Sequence, residues 1–227
     1  MKKLIITENQ LYALKEMAYP VSFNMEEFKL LNTFSKRVKY CNERLKFLGQ
    51  GSSRRVYQID NNKCLKLAKN EKGIAQNLAE QDGYLQSLEC FAKTFDDDKN
   101  GLWNEMELAR KAKAGDFKRI TGLGWDVMKA WIEKISLLYR NRKSFYVDIS
   151  KYEKIFNSEK FQEMVYEDNT IWGQIERYMT DYTLESYGDL QRLSSWGVVN
   201  RNGHDTLVLV DYGLNDSVGK EYYGFKI

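Results

Sequence analysis

The sequence has few of the residues on which histidine, zinc and disulfide chemistry depend. It contains one histidine, three cysteines and one proline in 227 residues. Because His204 is the only histidine and lies beside the Asn202-Gly203 pair, we interpret it as structural and exclude a histidine-based triad or zinc site. Cys41, Cys64 and Cys90 are odd in number and lack the spacing of zinc ligands, so we expect reduced thiols packed in the core.

Long apolar runs and a strong charge imbalance are also missing. No run approaches the roughly 20 apolar residues that cross a bilayer, and Met1-Lys2-Lys3 is followed by too short an apolar stretch for a signal peptide. A net charge of +3 does not indicate a nucleic-acid-binding face. The best basic candidates for such a face are Lys118, Arg119, Arg140, Arg142 and Lys143. We therefore expect a soluble cytoplasmic protein that binds neither membrane nor nucleic acid.

The most informative stretch is a predicted hairpin near the end of the chain. Two β-prone runs, Trp196 to Asn200 and Thr206 to Val210, flank Asn202-Gly203. Both central residues of a type I′ turn need positive φ, which Asn and Gly tolerate best. The second run carries no charge, as is usual for a buried strand.

One carboxylate precedes this hairpin and another follows it. Asp211 ends the buried run and is followed by Tyr212-Gly213, while Asp189 lies ahead of the first strand. A carboxylate at the tip of a buried strand is costly unless a partner compensates its charge. Two acids at the ends of adjacent strands therefore predict a divalent-metal site.

A glycine-containing loop lies much earlier, within Leu48 to Tyr57. Gly49 and Gly51 would let backbone N–H groups approach phosphates without an intervening Cβ. A plain hairpin turn explains this glycine pair about as well. The next residues could add hydroxyl groups and positive charge, and these are Ser52, Ser53, Arg54 and Arg55.

A lysine and a glutamate follow the loop at positions that suggest a pair. Strand alternation from Cys64 to Ala68 places Lys66 on the face opposite its leucine neighbours. The pattern from Glu71 to Leu88 predicts a helix, on which Glu80 is the best partner for Lys66. The alternatives are an outward lysine and a solvated Glu80, since charged side chains are usually exposed.

Periodicity predicts the remaining elements. The predicted strands are Phe91–Phe95 and Leu102–Leu108, and the predicted helices are residues 7–18, a second helix from Asn24 past Val38, a short turn at 116–120, Trp125–Tyr139 and Ser158–Tyr178. The first two helices form either a cap on the main domain or a docking arm for a partner.

These motifs, in this order, resemble the protein-kinase-like fold. The D-Y-G at Asp211, the Y-G-D-L around Asp189, the L-G-Q-G-S-S-R-R-V-Y loop and the C-L-K-L around Lys66 carry the resemblance, which spans about residues 46 to 214. The overall look is similar to small kinase-like proteins of tailed bacteriophages. The resemblance implies an α+β, two-lobe fold with an N-terminal helical extension at 1–45. It also implies a five-stranded antiparallel N-lobe at 46–108 and a reduced, mostly helical C-lobe at 109–227.

The resemblance also implies a site for ATP and Mg²⁺. It gives catalytic roles to Asp189, Lys66 and Glu80, and metal binding to Asp211 and Ser194. Nucleotide contacts fall to Gly49, Gly51, Ser52, Ser53, Val56, Lys66, Glu107 and Ala109. Glu107 and Ala109 belong to the segment that resembles the kinase hinge.

Three departures from the pattern leave the activity open. Ser194 stands where the family places a metal-binding asparagine, Arg54 stands in place of a third glycine, and the sequence ends fourteen residues after Gly213. The first hypothesis is an ATP- and Mg²⁺-dependent phosphotransferase acting on an unidentified host or phage acceptor. The alternative is a pseudokinase that binds a partner protein, and nucleotide transfer is a third possibility. A phage origin would place the protein in the host cytoplasm, or on the virion.

Overall fold

The computed structural model describes residues 22–140, 147–167, 169–183 and 187–224. The predicted helix over residues 7–18 and the basic residues Arg142 and Lys143 lie outside these ranges. Across the described ranges, none of the helices combines the length and the apolar character that a bilayer crossing requires.

The first half of the chain forms a five-stranded antiparallel sheet, as predicted. Its strands, in the order β1-β2-β3-β5-β4, are β1 (Lys46–Gln50), β2 (Arg54–Gln58), β3 (Lys63–Ala68), β4 (Thr94–Asp97) and β5 (Trp103–Glu107). The prediction that the fourth strand begins at Phe91 is wrong. Phe91 is fully buried and instead forms an isolated bridge to Leu209 of the later hairpin.

The helix predicted over Glu71 to Leu88 is two helices. They are α3 (Glu71–Glu80) and α4 (Gly83–Ser87). The break occurs because the Asp82 side chain accepts hydrogen bonds from the backbone N–H groups of Tyr84 and Leu85 and so begins a new helix. Apolar spacing alone does not reveal such a cap, so the single long helix was a wrong prediction.

The helix predicted from Asn24 past Val38 is also divided. The observed helices are α1 (Met25–Lys29) and α2 (Phe34–Arg44), and Thr33 caps the second. Phe28 and Cys41 from these helices are buried against Leu65 and Trp103 of the sheet. The described part of the N-terminal extension is therefore a cap on the sheet, which was one of the two predicted alternatives.

The second half of the chain is mostly helical. Its helices are α5 (Ala114–Thr121), α6 (Trp125–Arg140), α7 (Glu153–Phe156), α8 (Glu159–Tyr166) and α9 (Ile171–Tyr178). The prediction for α6 is confirmed, and the short turn at 116–120 is a longer helix. The single helix predicted over Ser158 to Tyr178 is wrong, because Thr170 caps α9 and a Cβ on Gly173 would collide with the carbonyl of Val165.

The predicted hairpin with its type I′ turn is confirmed. Its strands are β7 (Trp196–Arg201) and β8 (His204–Leu209), and Asn202 and Gly203 have φ values of 54° and 84°. A short strand that the sequence did not indicate, β6 (Arg110–Lys111), pairs with β7. The described end of the chain forms α10 (Asp216–Tyr223), which packs on α3.

One apolar cluster joins the sheet to the helical half. Met106 from β5, Met128 from α6, Trp172 from α9 and Leu209 from β8 all belong to it. The predicted α+β class, a five-stranded antiparallel sheet with a helical region, is confirmed. This core contains residues from both sides of the predicted boundary at residue 108. The predicted domain boundaries stay a prediction.

The cysteines are free and buried, as expected. Burial raises the pKa of the Cys41 thiol to about 12 and that of Cys64 to about 11, although nearby Arg and Lys charges oppose it. Burial likewise raises the pKa of Cys90. Thiolates are the reactive form of cysteine, so these side chains serve packing.

Candidate functional site

A cleft of about 880 Å³ opens between the five-stranded sheet and the hairpin. Most of the residues predicted from the sequence line it, and these are Gly49, Gly51, Ser52, Ser53, Val56, Lys66, Glu107, Ala109, Asp189, Ser194 and Asp211. Glu80 is the exception, because its side chain is fully buried behind Lys66. The fold thus brings residues far apart in sequence to one place.

Lys66 and Glu80 form a buried ion pair. The Lys66 ammonium donates to the two Glu80 carboxylate oxygens at 2.8 and 2.9 Å, and to the carbonyl of Val210 at 2.6 Å. Leu65 and Leu67 lie on the opposite face of β3, in the apolar cluster under the N-terminal cap. Strand alternation therefore directs the ammonium into the cleft and connects α3 to the end of β8.

Arg54 enters the same cluster of charges from the first residue of β2. Its guanidinium forms ion pairs with Glu80 Oε2, at 2.8 Å, and with Asp211, and it donates to Asn77 at 3.4 Å. Burial alone would lower the pKa of Arg54, but Glu80 and Asp211 hold it above its usual value. The sequence indicated a positive charge here, yet not that two acids would already hold it.

Asp211 is the carboxylate that the hairpin carries to the cleft, where 56% of its side-chain surface stays accessible. Its dense surroundings would raise its pKa, but the positive charges of Arg54 and Lys66 together lower it below the usual value. Asp211 is therefore ionised at neutral pH. The next residue, Tyr212, is buried, and its hydroxyl donates to the carbonyl of Ala92 at 2.8 Å.

Asp189 has a more basic carboxylate. It ends a 3-10 turn, Tyr187–Asp189, and forms an ion pair with Arg192 at 2.9 Å. Burial raises its pKa, Arg192 opposes this, and the nearby charge of Asp211 adds to the increase. A carboxylate with a raised pKa accepts a proton from a hydroxyl group more readily than an ordinary one.

A buried acid that sequence patterns did not indicate holds the Asp189 turn. Glu133 on α6 is 1% exposed and accepts from Gln191 at 2.7 Å and from the Tyr187 hydroxyl at 3.4 Å. Both donors flank Asp189 in sequence, so Glu133 fixes the position of the turn. The available signal was a charged residue directly after the inward-facing Ile132.

The glycine-containing loop is anchored at one end and open at the other. The Ser53 hydroxyl donates to Gln76 of α3 at 2.6 Å, and its carbonyl lies so close to Gly73 that a Cβ there would collide with it. At Gly49 and Gly51, by contrast, a Cβ would meet no atom within 4 Å. The protein's own packing therefore does not explain glycine at these two positions.

In the segment that resembles the kinase hinge, Glu107 and Leu108 form hydrogen bonds within the protein. Glu107 accepts from Arg201 of β7 at 2.6 Å, and the N–H of Leu108 donates to the carbonyl of Asn62 at 2.7 Å. Ala109 lines the cleft and lies against Gly197. The predicted nucleotide contacts of Glu107 and Ala109 stay predictions.

The side chains of this arrangement do not fit a divalent cation at Asp211. A magnesium ion requires near-octahedral oxygen ligands, but Asp211 already holds the guanidinium of Arg54. Within the described ranges, no three or more acidic, histidine or cysteine side chains form a metal-binding group. Ser194 is exposed at the edge of the cleft, and its role as a ligand stays a prediction.

No protein-family model matches the sequence, and no curated protein matches it either. Similar solved structures include a GDP and kanamycin complex of APH(2")-IIia, at 11% identity and a TM-score of 0.37, covering 84% of this chain and 71% of that chain. Another is a streptomycin–ATP–APH(2")-IIa ternary complex, at 11% identity and a TM-score of 0.33, covering 82% and 72% of the two chains. A third is the GDP complex of wild-type aminoglycoside 2'-phosphotransferase-IIIa, at 12% identity and a TM-score of 0.36, covering 92% and 74%. These values are too low to transfer any residue's role to this chain.

Proposed function

We propose that the cleft binds a nucleoside triphosphate, ATP, and transfers its terminal phosphoryl group to a hydroxyl acceptor. The observation that carries the proposal is the convergence of Lys66, Asp211 and Asp189 on one cleft of about 880 Å³, beneath the loop of Gly49 and Gly51. Such a volume lies within the range of small-molecule sites.

The two open glycines support the nucleotide part of the proposal. Because nothing in the protein prevents a side chain at Gly49 or Gly51, a close-lying ligand is a sufficient reason for glycine there. Backbone N–H groups in such a loop bind phosphate oxygens. The apolar lining offers a surface for the base, and it comprises Leu48, Val56, Cys64, Ala92, Met106 and Leu108.

The two aspartates and the ion pair divide the chemistry. The acceptor oxygen attacks the γ-phosphorus, the bond from that phosphorus to the bridging oxygen breaks, and ADP leaves. The acceptor's proton passes to Asp189, whose raised pKa suits it to the role of base. Lys66, held by Glu80, contributes positive charge toward the transferred group.

The acceptor is proposed to be a host or phage molecule that the protein meets in the cytoplasm. The likeness to proteins of tailed bacteriophages stays a prediction.

A second function is favoured by one specific contact. The ion pair between Arg54 and Asp211 occupies the carboxylate on which a metal-dependent kinase would rely. A pseudokinase that binds a partner protein, with or without nucleotide, would tolerate this contact. Ser194, a weak neutral ligand, also favours this alternative.

Labelling with γ-labelled ATP tests the phosphotransferase. The purified protein is incubated with host lysate, and the wild type is compared with Asp189→Asn. We expect labelling, including self-labelling, to fall about 10²- to 10⁴-fold in the variant, because removal of a general base costs this much. Asp97→Asn is the matched control, since Asp97 is exposed on β4 outside the cleft.

Labelling that Asp189→Asn leaves unchanged would contradict the assignment. A thermal-shift titration separates the two functions, because a nucleotide that binds the folded state raises its melting temperature. Stabilisation by ATP without any labelled product would favour the pseudokinase.

A further inference from the structure

Arg54 is the unexplained charge of the cleft. Its side chain is 7% exposed, and its guanidinium contacts both Glu80 and Asp211. A buried guanidinium held by two carboxylates is firmly fixed, because charge-assisted hydrogen bonds are among the strongest in proteins.

The charges around Arg54 cancel one another. Two cations, Lys66 and Arg54, face two anions, Glu80 and Asp211. The ammonium of Lys66 has three hydrogens, and its contacts with Glu80 and Val210 account for all of them. The direct positive partner of Asp211 is therefore the guanidinium of Arg54.

A divalent cation at Asp211 would meet two obstacles. It would add two positive charges beside those of Arg54 and Lys66, which would repel it. It would also have to displace the guanidinium from the carboxylate. Both obstacles have the same origin, which is the position of Arg54 at the start of β2.

We propose that the guanidinium of Arg54 occupies the position at Asp211 that a divalent metal ion would take, and that a nucleoside polyphosphate binds the cleft without a divalent metal. A guanidinium has five N–H donors, more than its contacts with Glu80, Asn77 and Asp211 use, so it can also donate to a phosphate oxygen. The nucleotide half rests on the proposed function, whereas the exclusion of metal from Asp211 does not.

The first test measures metal binding without nucleotide. Mn²⁺ is titrated into the wild type, Arg54→Ala, Arg54→Gln and the double variant Arg54→Ala/Asp211→Asn, and bound ion is counted by electron paramagnetic resonance. We expect the two single variants to bind Mn²⁺ at least about tenfold more tightly than the wild type, because the carboxylate of Asp211, no longer paired with Arg54, would bind the ion instead. The double variant should lose that gain.

Arg55→Ala is the matched control. It removes the same charge from the adjacent residue, whose guanidinium lies over the rings of Phe47 and Tyr57 and has no contact with Asp211 among the described residues. It should bind Mn²⁺ as the wild type does. Far-UV circular dichroism verifies the fold of each variant, and Arg54→Gln retains a polar side chain should Arg54→Ala fail to fold.

The second test measures nucleotide binding, first in the wild type and then in Arg54→Ala. ADP is titrated calorimetrically into the wild type in excess EDTA and again with Mg²⁺. We expect the two dissociation constants to agree, because the guanidinium and not a metal ion would contact the phosphates. Agreement means within about threefold, which is below the roughly tenfold effect of one charged hydrogen bond. In Arg54→Ala, binding in EDTA should weaken at least about tenfold, and Mg²⁺ should restore part of the loss.

The possible results separate the two proposals. Tight Mn²⁺ binding by the wild type that the double variant lacks, or ADP binding that requires Mg²⁺, would overturn the role of Arg54. So would variants that bind Mn²⁺ no better than the wild type. If ADP binds to no protein under either condition, the proposed function fails, and the Mn²⁺ titration still decides the role of Arg54.

Discussion

The hydroxyl of Tyr212 connects the residue after the cleft carboxylate to the N-terminal half. It donates to the carbonyl of Ala92 at 2.8 Å and accepts from Gln86 at 2.6 Å, in a side chain that is 2% exposed. The backbone carbonyl of Tyr212 in turn accepts from Tyr178 at 2.7 Å. A phenylalanine would fill nearly the same space but could not form these two hydrogen bonds of the hydroxyl.

We therefore expect Tyr212→Phe to lower the free energy of unfolding by about 1–3 kcal/mol, because the buried partners of the hydroxyl would be left unsatisfied. Urea denaturation followed by circular dichroism measures this. Tyr166→Phe is the control, since Tyr166 is 83% exposed and its hydroxyl should contribute little. Equal stability of the two variants would show that the hydroxyl of Tyr212 has no net effect.

Residue roles were predictable where a strand or turn fixes the direction of a side chain. Alternation along β3 placed Lys66 on the cleft side, and the turn preference of Asn202-Gly203 fixed the hairpin. The ion pair between Arg54 and Asp211 was not predictable, because it joins residues 157 positions apart through a loop whose course depends on α3.

At the scale of elements, helix ends were the main source of error. Asp82, Thr33 and Thr170 each cap a new helix inside a stretch whose apolar spacing looks continuous. A cap is one hydrogen-bonding side chain against several correctly spaced apolar residues, so periodicity outweighs it in a sequence. The five strands of the first sheet and the two strands of the hairpin were predictable, because side-chain alternation and turn residues both mark them, whereas the two-residue strand β6 was not.

The junction of β6 with α5 is expected to depend on pH. Asp116 accepts from Arg110, Arg119 and the backbone N–H of Lys113, and these contacts, that of Arg110 above all, hold its pKa well below the usual value despite burial. The unfolded carboxyl takes up a proton near pH 4, and the folded one does so only at lower pH. The stabilisation is therefore complete above about pH 4 and is lost as the pH falls below it.

Denaturation between pH 7 and pH 2 tests this expectation. The wild type should lose stability below about pH 4, and Asp116→Asn should be less stable at pH 7 and show a smaller loss on acidification. The exposed Glu167→Gln is the control and should follow the wild type. An Asp116→Asn curve parallel to that of the wild type would rule out a contribution from this carboxylate.

For the whole molecule, the shared core predicts cooperative unfolding. Cys64 and Met106 of the sheet belong to the same buried cluster as Trp196 and Leu209 of the hairpin. The second cluster, around Trp103, lies on the other face of the same sheet. Neither half can separate without exposing apolar surface of the other.

We expect one thermal transition with the same midpoint by far-UV circular dichroism and tryptophan fluorescence. Trp103→Phe removes the reporter from the second cluster, so comparing its fluorescence curve with that of the wild type shows whether the N-terminal cap unfolds separately. Two resolved transitions, or a midpoint that shifts with the probe, would contradict a shared core.

The overall architecture followed from the sequence because its motifs occur in a consistent order, whereas the arrangement of the cleft depended on contacts between distant elements. Glu133 beneath the Asp189 turn and β6 beside β7 are examples. Both are stabilised by partners more than fifty residues away, beyond the reach of local patterns.

The absence of a side chain at Gly73 has a mechanical consequence. Because the carbonyl of Ser53 lies directly against α3 at this point, the base of the glycine-containing loop is packed tightly on the helix. We expect a ligand that displaces the base of the loop to displace this helix as well, and Glu80, the last residue of the helix, with it. The ion pair between Lys66 and Glu80 would then depend on the position of the glycine-containing loop.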